Sequence, residues 1–521
     1  MITPTADQIT ILSSTRKRAF WAFIVTTGDG LTTYYWSTQA RSYAGQAFAA
    51  KIIPESFAGI TMNAGQSELG IQGPTDLKFR TPNKNNTLSP AAFVDGTVIV
   101  RYVLAGAGLE TTFRSWKFKI RVCQNLHQHL EFTCVDILQD LLEGQYPLLP
   151  LVKDIFLSKN TDQDTSVCVP LPFGTAYIPL RPVYTGGEMF YMLGPASGSF
   201  TVSEVRSPRS WGAKNIWPSS GYTLTQATKT DALSRNWKVL SPKIAYSRVG
   251  LSVPDVTGFW RNGERFLDIP AKYSWSVTAS LTSPADVLAF VLTDSAYGMG
   301  LPTGDWDATA QPLAAAVFSG WGLTWNGALW QLEDKEKIIT RLLGMCHSVL
   351  DSGEKIALRV LSGVPQATIT DAVVMRGSDK KSTFTMTAAS TRKNPDGGYV
   401  SWQEAGESQD EFQRTLVPVV SGATPVRPST ETFACPWVGN SQLAQKLAVL
   451  NFQRRFLGAG DCGFVGKRGM SGFYGVMLQT NDVIAINAPS YGGAYEALIK
   501  SMIIRRDGSP EFRCMILREA V

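Results

Sequence analysis

The stretch Ser283-Pro-Ala-Asp-Val-Leu-Ala-Phe-Val-Leu-Thr-Asp-Ser-Ala-Tyr-Gly-Met-Gly300, followed by Leu301-Pro-Thr-Gly-Asp-Trp306, organises the reading of the whole chain. Ser283 suits a helix N-cap, and Pro284 suits the first helical position, where a missing N–H costs nothing. Val287, Leu288, Val291 and Leu292 recur at helical spacing and predict one apolar stripe. Gly298 and Gly300 predict a glycine-rich turn that ends the helix.

On either side of this helix the chain reads mainly as strands. Lys17 to Val25 and Leu31 to Trp36 are two apolar, aromatic-rich runs separated by Gly28-Asp-Gly30, the pattern of a β-hairpin. Residues 96–104, 111–122 and 130–135 continue as strands, and 136–142 turns helical. In the second of these, Phe113, Trp116, Phe118, Ile120 and Val122 mostly alternate with Arg and Lys, so one face is expected inside and the other facing water or a partner. The whole predicts a twisted antiparallel sheet that closes as a barrel. Three prolines in Val169 to Leu180 argue for an edge strand or connector. Residues 181–275 read as a β-rich insert with turns at Gly186-Gly187, Ser207-Pro208-Arg209 and Pro218 to Gly221. Lys335 to Cys346 has helical spacing, with Asp351-Ser-Gly353 as its stop. Residues 355–390 are strand-like, Thr391 to Gly398 is an exposed turn, and Ser421 to Pro428 reads as a linker. A helix over 441–456 and strands over 478–486, 495–504 and 511–519 finish the chain.

Composition agrees. Of 521 residues, 44% are hydrophobic and only 18% charged, which suits folded cores rather than disorder. The length suggests about three or four domains. A net charge of +6 is a weak basic bias that permits an acidic partner and does not mark a nucleic-acid-binding protein. The N-terminus lacks signal-peptide architecture, and no apolar run reaches the ~18 residues of a membrane span. The seven cysteines are scattered and fit thiols of a protein folded in a reducing cytoplasm.

The 283–306 string resembles the "N-P-A-D-hydrophobic helix, then R/A-Y-G-hydrophobic-G" segment of the tail-tip and baseplate-hub proteins of long-tailed bacteriophages. Val169-Pro-Leu-Pro-Phe-Gly is similar to a "V-P-hydrophobic-x-F-G" strand of that family. Asn481-Asp-Val-Ile-Ala-Ile486 is similar to its "G-D-V-V-x-V" turn, with Asn481 where glycine is usual; asparagine tolerates positive φ. The best-matching segments lie at about 113–180, 275–306 and 435–521, in the family's order. The resemblance implies a mainly β chain with α+β parts: a tube-like β-barrel over 1–180, a β-rich insert over 181–275, a central α+β domain over 276–430 and a second tube-like barrel over 431–521. It implies a homotrimeric structural virion protein, assembled in the host cytoplasm and resident at the phage tail tip. Its partners would be the distal tail or tube protein, the tape-measure protein, a fibre or receptor-binding subunit, and phage DNA passing through a lumen. On that reading Arg114, Lys117, Lys119 and Arg121, with Arg505, Arg513 and Arg518, are the candidate lumen or subunit-contact residues.

Catalytic and metal chemistry find little footing. Cys123-x3-His127-x-His129-x4-Cys134 has metal-ligand residue types, but strand parity sets Cys134 apart from the other three unless a turn or bulge intervenes. Cys346 and His347 are neighbours in a helical pattern, and neighbours on a helix do not face each other. Asp305 and Asp307 flank Trp306 as a carboxylate pair, for which helix capping is the plainer role. No G-x-S-x-G, H-E-x-x-H or Walker loop occurs. The expectation is a non-enzyme without cofactor or metal. Two alternatives stay open: a tail-associated cell-wall hydrolase, and a receptor- or carbohydrate-binding module using some of the 14 tryptophans. The basic pairs Arg16-Lys17-Arg18, Arg392-Lys393, Arg454-Arg455, Lys467-Arg468 and Arg505-Arg506 read as solvated faces, or as contacts with an acidic neighbour or DNA.

Overall fold

A computed structural model describes residues 4–14, 17–64, 70–146, 167–178, 182–185, 188–206, 222–230, 235–244, 257–261, 264–268, 274–378, 381–388, 394–403, 413–420, 423–468, 474–488 and 493–517. The chain is mainly β, with several sheets and a few helices. Among the described residues, no helix is long and apolar enough to cross a membrane. The turn signals at 186–187, 207–209 and 218–221, and the basic residues Arg16, Arg392 and Lys393, lie outside the described residues.

The first sheet is built from β1 (Arg18–Thr26), β2 (Thr33–Ser37), β3 (Arg41–Tyr43), β4 (Gln46–Ala50), β7 (Leu77–Pro82), β8 (Thr97–Gly106), β9 (Leu109–Leu126) and β10 (His129–Asp136). Their order is β3-β4-β2-β1-β8-β9-β10-β7. The predicted hairpin is there: Asp29 Oδ1 accepts from Thr27 Oγ1 (2.5 Å) and Leu31 N (3.0 Å), so the aspartate side chain organises the turn. Among the described residues the hydrogen-bonded order has β3 and β7 as its ends, without strand pairing between them. The sheet is nevertheless rolled. Trp36 on β2 lies 5.9 Å from Phe132 on β10, and Phe23 on β1 lies 5.1 Å from Phe79 on β7. Strands distant in the order therefore wrap one aromatic core. Two bulges shape β9. Tyr102 pairs with Arg114 but Val103 with Thr112, and Thr133 pairs with Val122 but Cys134 with Ile120. Each inserts one residue and reverses the facing of the residues beyond it.

Two hairpin strands leave this sheet. β5 (Gly59–Ala64) and β6 (Ile71–Pro74) join a ten-stranded sheet with the C-terminal strands Gly458–Val465, Val483–Ala488, Gly493–Arg505 and Pro510–Leu517. β5 pairs antiparallel with the end of Gly493–Arg505, from Asn63 opposite Ser501 to Gly59 opposite Arg505. β6 pairs with Ser348–Ser352. One buried apolar cluster accordingly holds Trp21, Phe79, Trp116 and Phe132 from the N-terminal strands with Phe464, Ile484, Ile499 and Phe512 from the C-terminal ones. Trp21 Nε1 donates to Arg506 O (2.9 Å) and Tyr102 Oη to Gly508 O (3.1 Å), pinning the last hairpin turn. The strand pairing thus runs across the divisions expected at 180 and 431.

A second core gathers the helices Pro284–Thr293, Ala310–Trp321, Lys335–Gly344 and Ser441–Phe456 with part of 167–240. Ser441–Phe456 lies where the sequence predicts it. It buries Leu443, Leu447 and Phe452 in this second core, beside the three-stranded sheet Gly397–Trp402, Gln413–Pro418 and Pro428–Cys435. The expected linker 421–428 is therefore a connection inside that sheet. In its described part, Val426 N and Arg427 N donate to the Asp396 carboxylate (3.0 and 2.8 Å). Among the described residues, Val167–Phe173 pairs with Gly327–Gln331 alone, as its prolines suggest.

Three local readings need correction. Helix Lys335–Gly344 stops before Cys346, and Asp351 and Ser352 instead end the strand Ser348–Ser352, with Gly353 opening the turn to Ile356–Val360. The chain turns at His347, whose φ is +49°, the left-handed conformation that commonly follows a helix. Ser283 occupies the N-cap but makes no side-chain cap bond. A first helix, Ala6–Ser13, stands outside the expected elements although Thr5-x-x-Gln8 is a capping box: Gln8 N donates to Thr5 Oγ1 (3.3 Å) and Thr5 N to Gln8 Oε1 (2.9 Å).

The β5 insertion is testable at Gly59, whose φ is +117° and where an added Cβ would lie 2.2 Å from Ile504 O. Gly59→Ala is expected to cost on the order of 1–3 kcal/mol and to lower Tm in thermal denaturation. Gly30→Ala, also at positive φ but with open space around it, is expected to cost less. Equal losses would place no weight on the close approach of β5.

Candidate functional site

The 283–307 segment folds into one compact unit. Val287, Leu288, Val291 and Leu292 are fully buried, as their spacing predicts. The Tyr-Gly-Met-Gly turn folds back on its own helix: Met299 N donates to Val291 O (2.7 Å) and Leu301 N to Leu292 O (2.8 Å). Only glycine fits at 298, because a Cβ would meet Phe290 O at 2.6 Å and Asp294 O at 2.7 Å. The motif's acid and its tryptophan are tied through one glutamine: Trp306 Nε1 donates to Gln311 Oε1 (2.9 Å), and Gln311 Nε2 to Asp286 Oδ1 (2.7 Å). Asp307 Oδ1 accepts from Thr309 N (2.9 Å) and Ala310 N (3.3 Å), capping the next helix. Asp305 faces elsewhere. Its Oδ1 lies 2.6 Å from Lys117 Nζ on β9.

That ion pair belongs to a row. The outward residues of β8 and β9 meet a line of acids from the rest of the chain. Arg101 and Ser115 hold the two oxygens of Glu354 (2.9 and 2.6 Å). Lys117 N donates to Gly353 O (3.0 Å), on the side of β9 that β10 does not reach. Lys119 lies 3.3 Å from Asp140 and 3.6 Å from Asp95, and Arg121 contacts Asp140 and Glu143, the latter at 2.7 Å. Lys117, Lys119 and Arg121 are therefore brought together as sequence alternation predicts, and they dock the 303–307 and 353–354 loops and the helix Ile137–Leu142 onto the first sheet. Arg114 is not among them. Two and four residues before Trp116 and Phe118, it shares their buried face, where it is 7% exposed, and the bulge at Phe113 lets that neighbour be buried beside it.

Behind this seam lies a buried polar cluster that no sequence motif announces. Arg359 Nε donates to Asp351 Oδ2 (2.5 Å), Nη1 to Asp482 Oδ1 (2.9 Å), and Nη2 to Gln72 Oε1 (3.1 Å) and Thr480 O (2.7 Å). Burial alone would lower the guanidinium pKa; Asp351 and Asp482 outweigh it and raise it. Asn481 sits between with φ +63°, in the conformation expected of it. Asp136 is nearby and 2% exposed. Burial pushes its carboxyl up to about 7, against hydrogen bonds from Ser352 and the backbone after it.

At the C-terminal end, Arg505 pairs with Glu511 across its own hairpin (2.7 Å). Arg513 is exposed and lines a groove of about 630 Å³ with Thr383, Thr385 and Asp461. Arg518 lies outside the described residues. The other candidates do not assemble into reactive sites. Cys123 and Cys134 both point into the core, because a bulge and the turn at His127 intervene, while His127 is exposed. Among the described residues, no group of three or more His, Cys, Asp or Glu side chains could hold a metal ion. Burial pushes the Cys346 thiol up to about 12, and burial with the charge of Arg454 pushes His347 down to about 3. A thiol nucleophile needs the opposite shift.

No protein-family model matches the chain, and no curated protein matches it. Among solved structures it is similar to a chain of the virion of a native gene transfer agent particle, at 12% identity and TM-score 0.42, over 68% of this chain and 85% of that one. It is similar to the 43 kDa tail protein of prophage MuSo2 from Shewanella oneidensis, at 10% identity and TM-score 0.37, over 96% and 98%. It is also similar to the prophage tail protein gp18 from Listeria monocytogenes EGD-e, at 8% identity and TM-score 0.39, over 96% and 95%.

Two outcomes are expected of the seam and the cluster. Lys117→Glu should lower stability, and adding Asp305→Lys should restore part of the loss, with a coupling on the order of 1 kcal/mol in urea denaturation. Additive losses would mean the pair contributes nothing. The second concerns pH. With its pKa raised to about 7 from an unfolded value near ~3.9, Asp136 keeps its proton in the native state while the unfolded chain has lost it. Its contribution to stability is therefore full below pH ~4 and falls as pH rises to about 7. Asp136→Asn keeps the oxygen that accepts from Ser352 and should flatten that fall. An unchanged pH profile of the unfolding free energy would count against the raised pKa.

Proposed function

We propose that this chain is a structural protein of a phage tail tip or baseplate: the trimeric central hub that joins a six-fold tail tube to a three-fold tip or fibre. The observation that supports this reading best is the 283–306 segment. Its residue types resemble the hub family's segment, and the ones that make it recognisable are spent on building: Asp286 and Trp306 share Gln311, and Gly298 lets the turn lie on the helix. The matching segments near 113–180 and 435–521 stand in the same order along the chain. A residue set used for packing and docking, with thiol and imidazole groups shifted away from reactivity, suits a scaffold rather than a catalyst.

In the proposed assembly the neighbours are the distal tail or tube protein above, the tape-measure protein inside, and a fibre or receptor-binding subunit below. Phage DNA would leave through the lumen. Of the candidate contact residues, Arg513 and the exposed side of Arg505 remain available on the surface, whereas Lys117, Lys119 and Arg121 already have partners within the chain. DNA is a polyanion, so available cations rather than paired ones would face it.

The test is stoichiometry and place. Tagged chain in purified tails, imaged by electron cryomicroscopy, is expected as three copies around the axis at the distal end of the tube. Six copies, a monomer, or density away from the tail tip would overturn the hub assignment.

A further inference from the structure

A cavity of about 280 Å³ opens between β9, β6 and the Asp351–Ala357 hairpin, beside the Arg359 cluster. Two buried donors line it without a hydrogen-bond partner among the described residues: Arg114 Nη1 and Gln72 Nε2. Gln72 is 3% exposed and its orientation is determined. Its Oε1 accepts from both Arg359 Nη2 (3.1 Å) and Thr480 Oγ1 (2.8 Å), which leaves the amide N–H groups as the unused side. Arg114 stands here because it shares the inward face of β9 with Trp116 and Phe118. Among the described residues its Nη2 donates to the Met62 sulfur (3.1 Å), and its guanidinium lies 5.8 Å from the Trp116 ring centre. Burial lowers its pKa to about 10, so it stays a cation at neutral pH.

The acids that line or flank the cavity are engaged elsewhere. Asp351 binds Arg359 and accepts from Gln479, and Asp307 caps its helix. Asp136, behind Gly73 and Ser352, holds its proton up to about pH 7. Lys355 is exposed and also lines the cavity, adding positive charge. A buried guanidinium without a contacting anion is costly, and an unused donor beside it adds to that cost.

We propose that this cavity is a carboxylate-binding site, in which one oxygen accepts from Arg114 Nη1 and the other from Gln72 Nε2. A planar acceptor with two oxygens matches two unused donors, one of them on a guanidinium that no anion among the described residues contacts, although Asp351 and Asp482 act on it from farther away; a phosphate brings more charge than this site answers. The carboxylate has two sources, a small free acid or an aspartate or glutamate side chain of a neighbouring copy of this chain. This inference does not depend on the tail reading.

The probe is sodium acetate, titrated into the full-length protein against sodium chloride at matched ionic strength. A free-acid site gives an acetate-specific, saturable rise in Tm, and Arg114→Gln loses it. Should that variant fail to fold, a crystal structure of the unaltered protein grown in acetate answers the same question: the carboxylate should lie against Arg114 Nη1 and Gln72 Nε2. If acetate does not bind, the side-chain source requires an Asp or Glu of the adjoining copy in the cavity of the assembled protein, seen by electron cryomicroscopy. Water alone in the cavity in both crystal and assembly overturns the proposal. So does an acetate response that Arg114→Gln retains in full.

Discussion

The pairing of Gly59–Ala64 with Gly493–Arg505 is the constraint on which the rest of the structure depends. That long C-terminal strand is paired along one side with Pro510–Leu517. Along the other side it is paired first with Val483–Ala488 and then with β5. Without β5, half of one side would be an open edge, a template for unwanted pairing. With it, the first and last parts of the chain share one sheet and one core. The contact is long-range in sequence, so its loop-closure cost must be met before its hydrogen bonds repay it. Folding of the N-terminal region is therefore complete only once the final strands exist.

The electrostatics follow from that joining. Bringing the central unit against the first sheet sets Arg101 and Lys117 opposite Glu354 and Asp305, while Lys119 and Arg121 meet Asp140 and Glu143 just after β10, each pair partly exposed and modest by itself. Together they hold the 303–307 and 353–354 loops and the helix Ile137–Leu142 on one face of the sheet. Arg359 is different. It is nearly out of water and tolerable only because two carboxylates, an amide and a backbone carbonyl meet it at once. Those partners come from β6, from the Ser348–Ser352 strand and from the turn before Val483, so the residue fastens three separate parts of the chain.

Much of the candidate site was legible, and the misses have physical causes. The alternation of Lys117, Lys119 and Arg121 identified one face of a strand, since period two is a property of the backbone. What that face meets was not legible, because Asp305 and Glu354 are far away in sequence. Period two also sets Arg114 on the face of Trp116 and Phe118 rather than with the lysines, so grouping it with the stripe was a parity error that the sequence itself exposes. The Arg359 cluster was invisible for a related reason. Gln72, Asp351, Arg359, Thr480 and Asp482 form no motif, and only their convergence gives them meaning.

The sequence by itself determined the local pieces. Proline, glycine and apolar spacing around 283–300 made the helix and its turn, Asp29 and Gly30 made the first hairpin, and Asn481 took the left-handed conformation its short polar side chain tolerates. These depend on neighbours a few residues away, which a sequence displays directly. Tertiary structure alone decided which strands share a sheet, which charges are already answered within the chain, and that Arg114 and Gln72 would turn unused donors into one cavity. Those outcomes rest on contacts between residues hundreds of positions apart, selected by shared burial and mutual neutralisation.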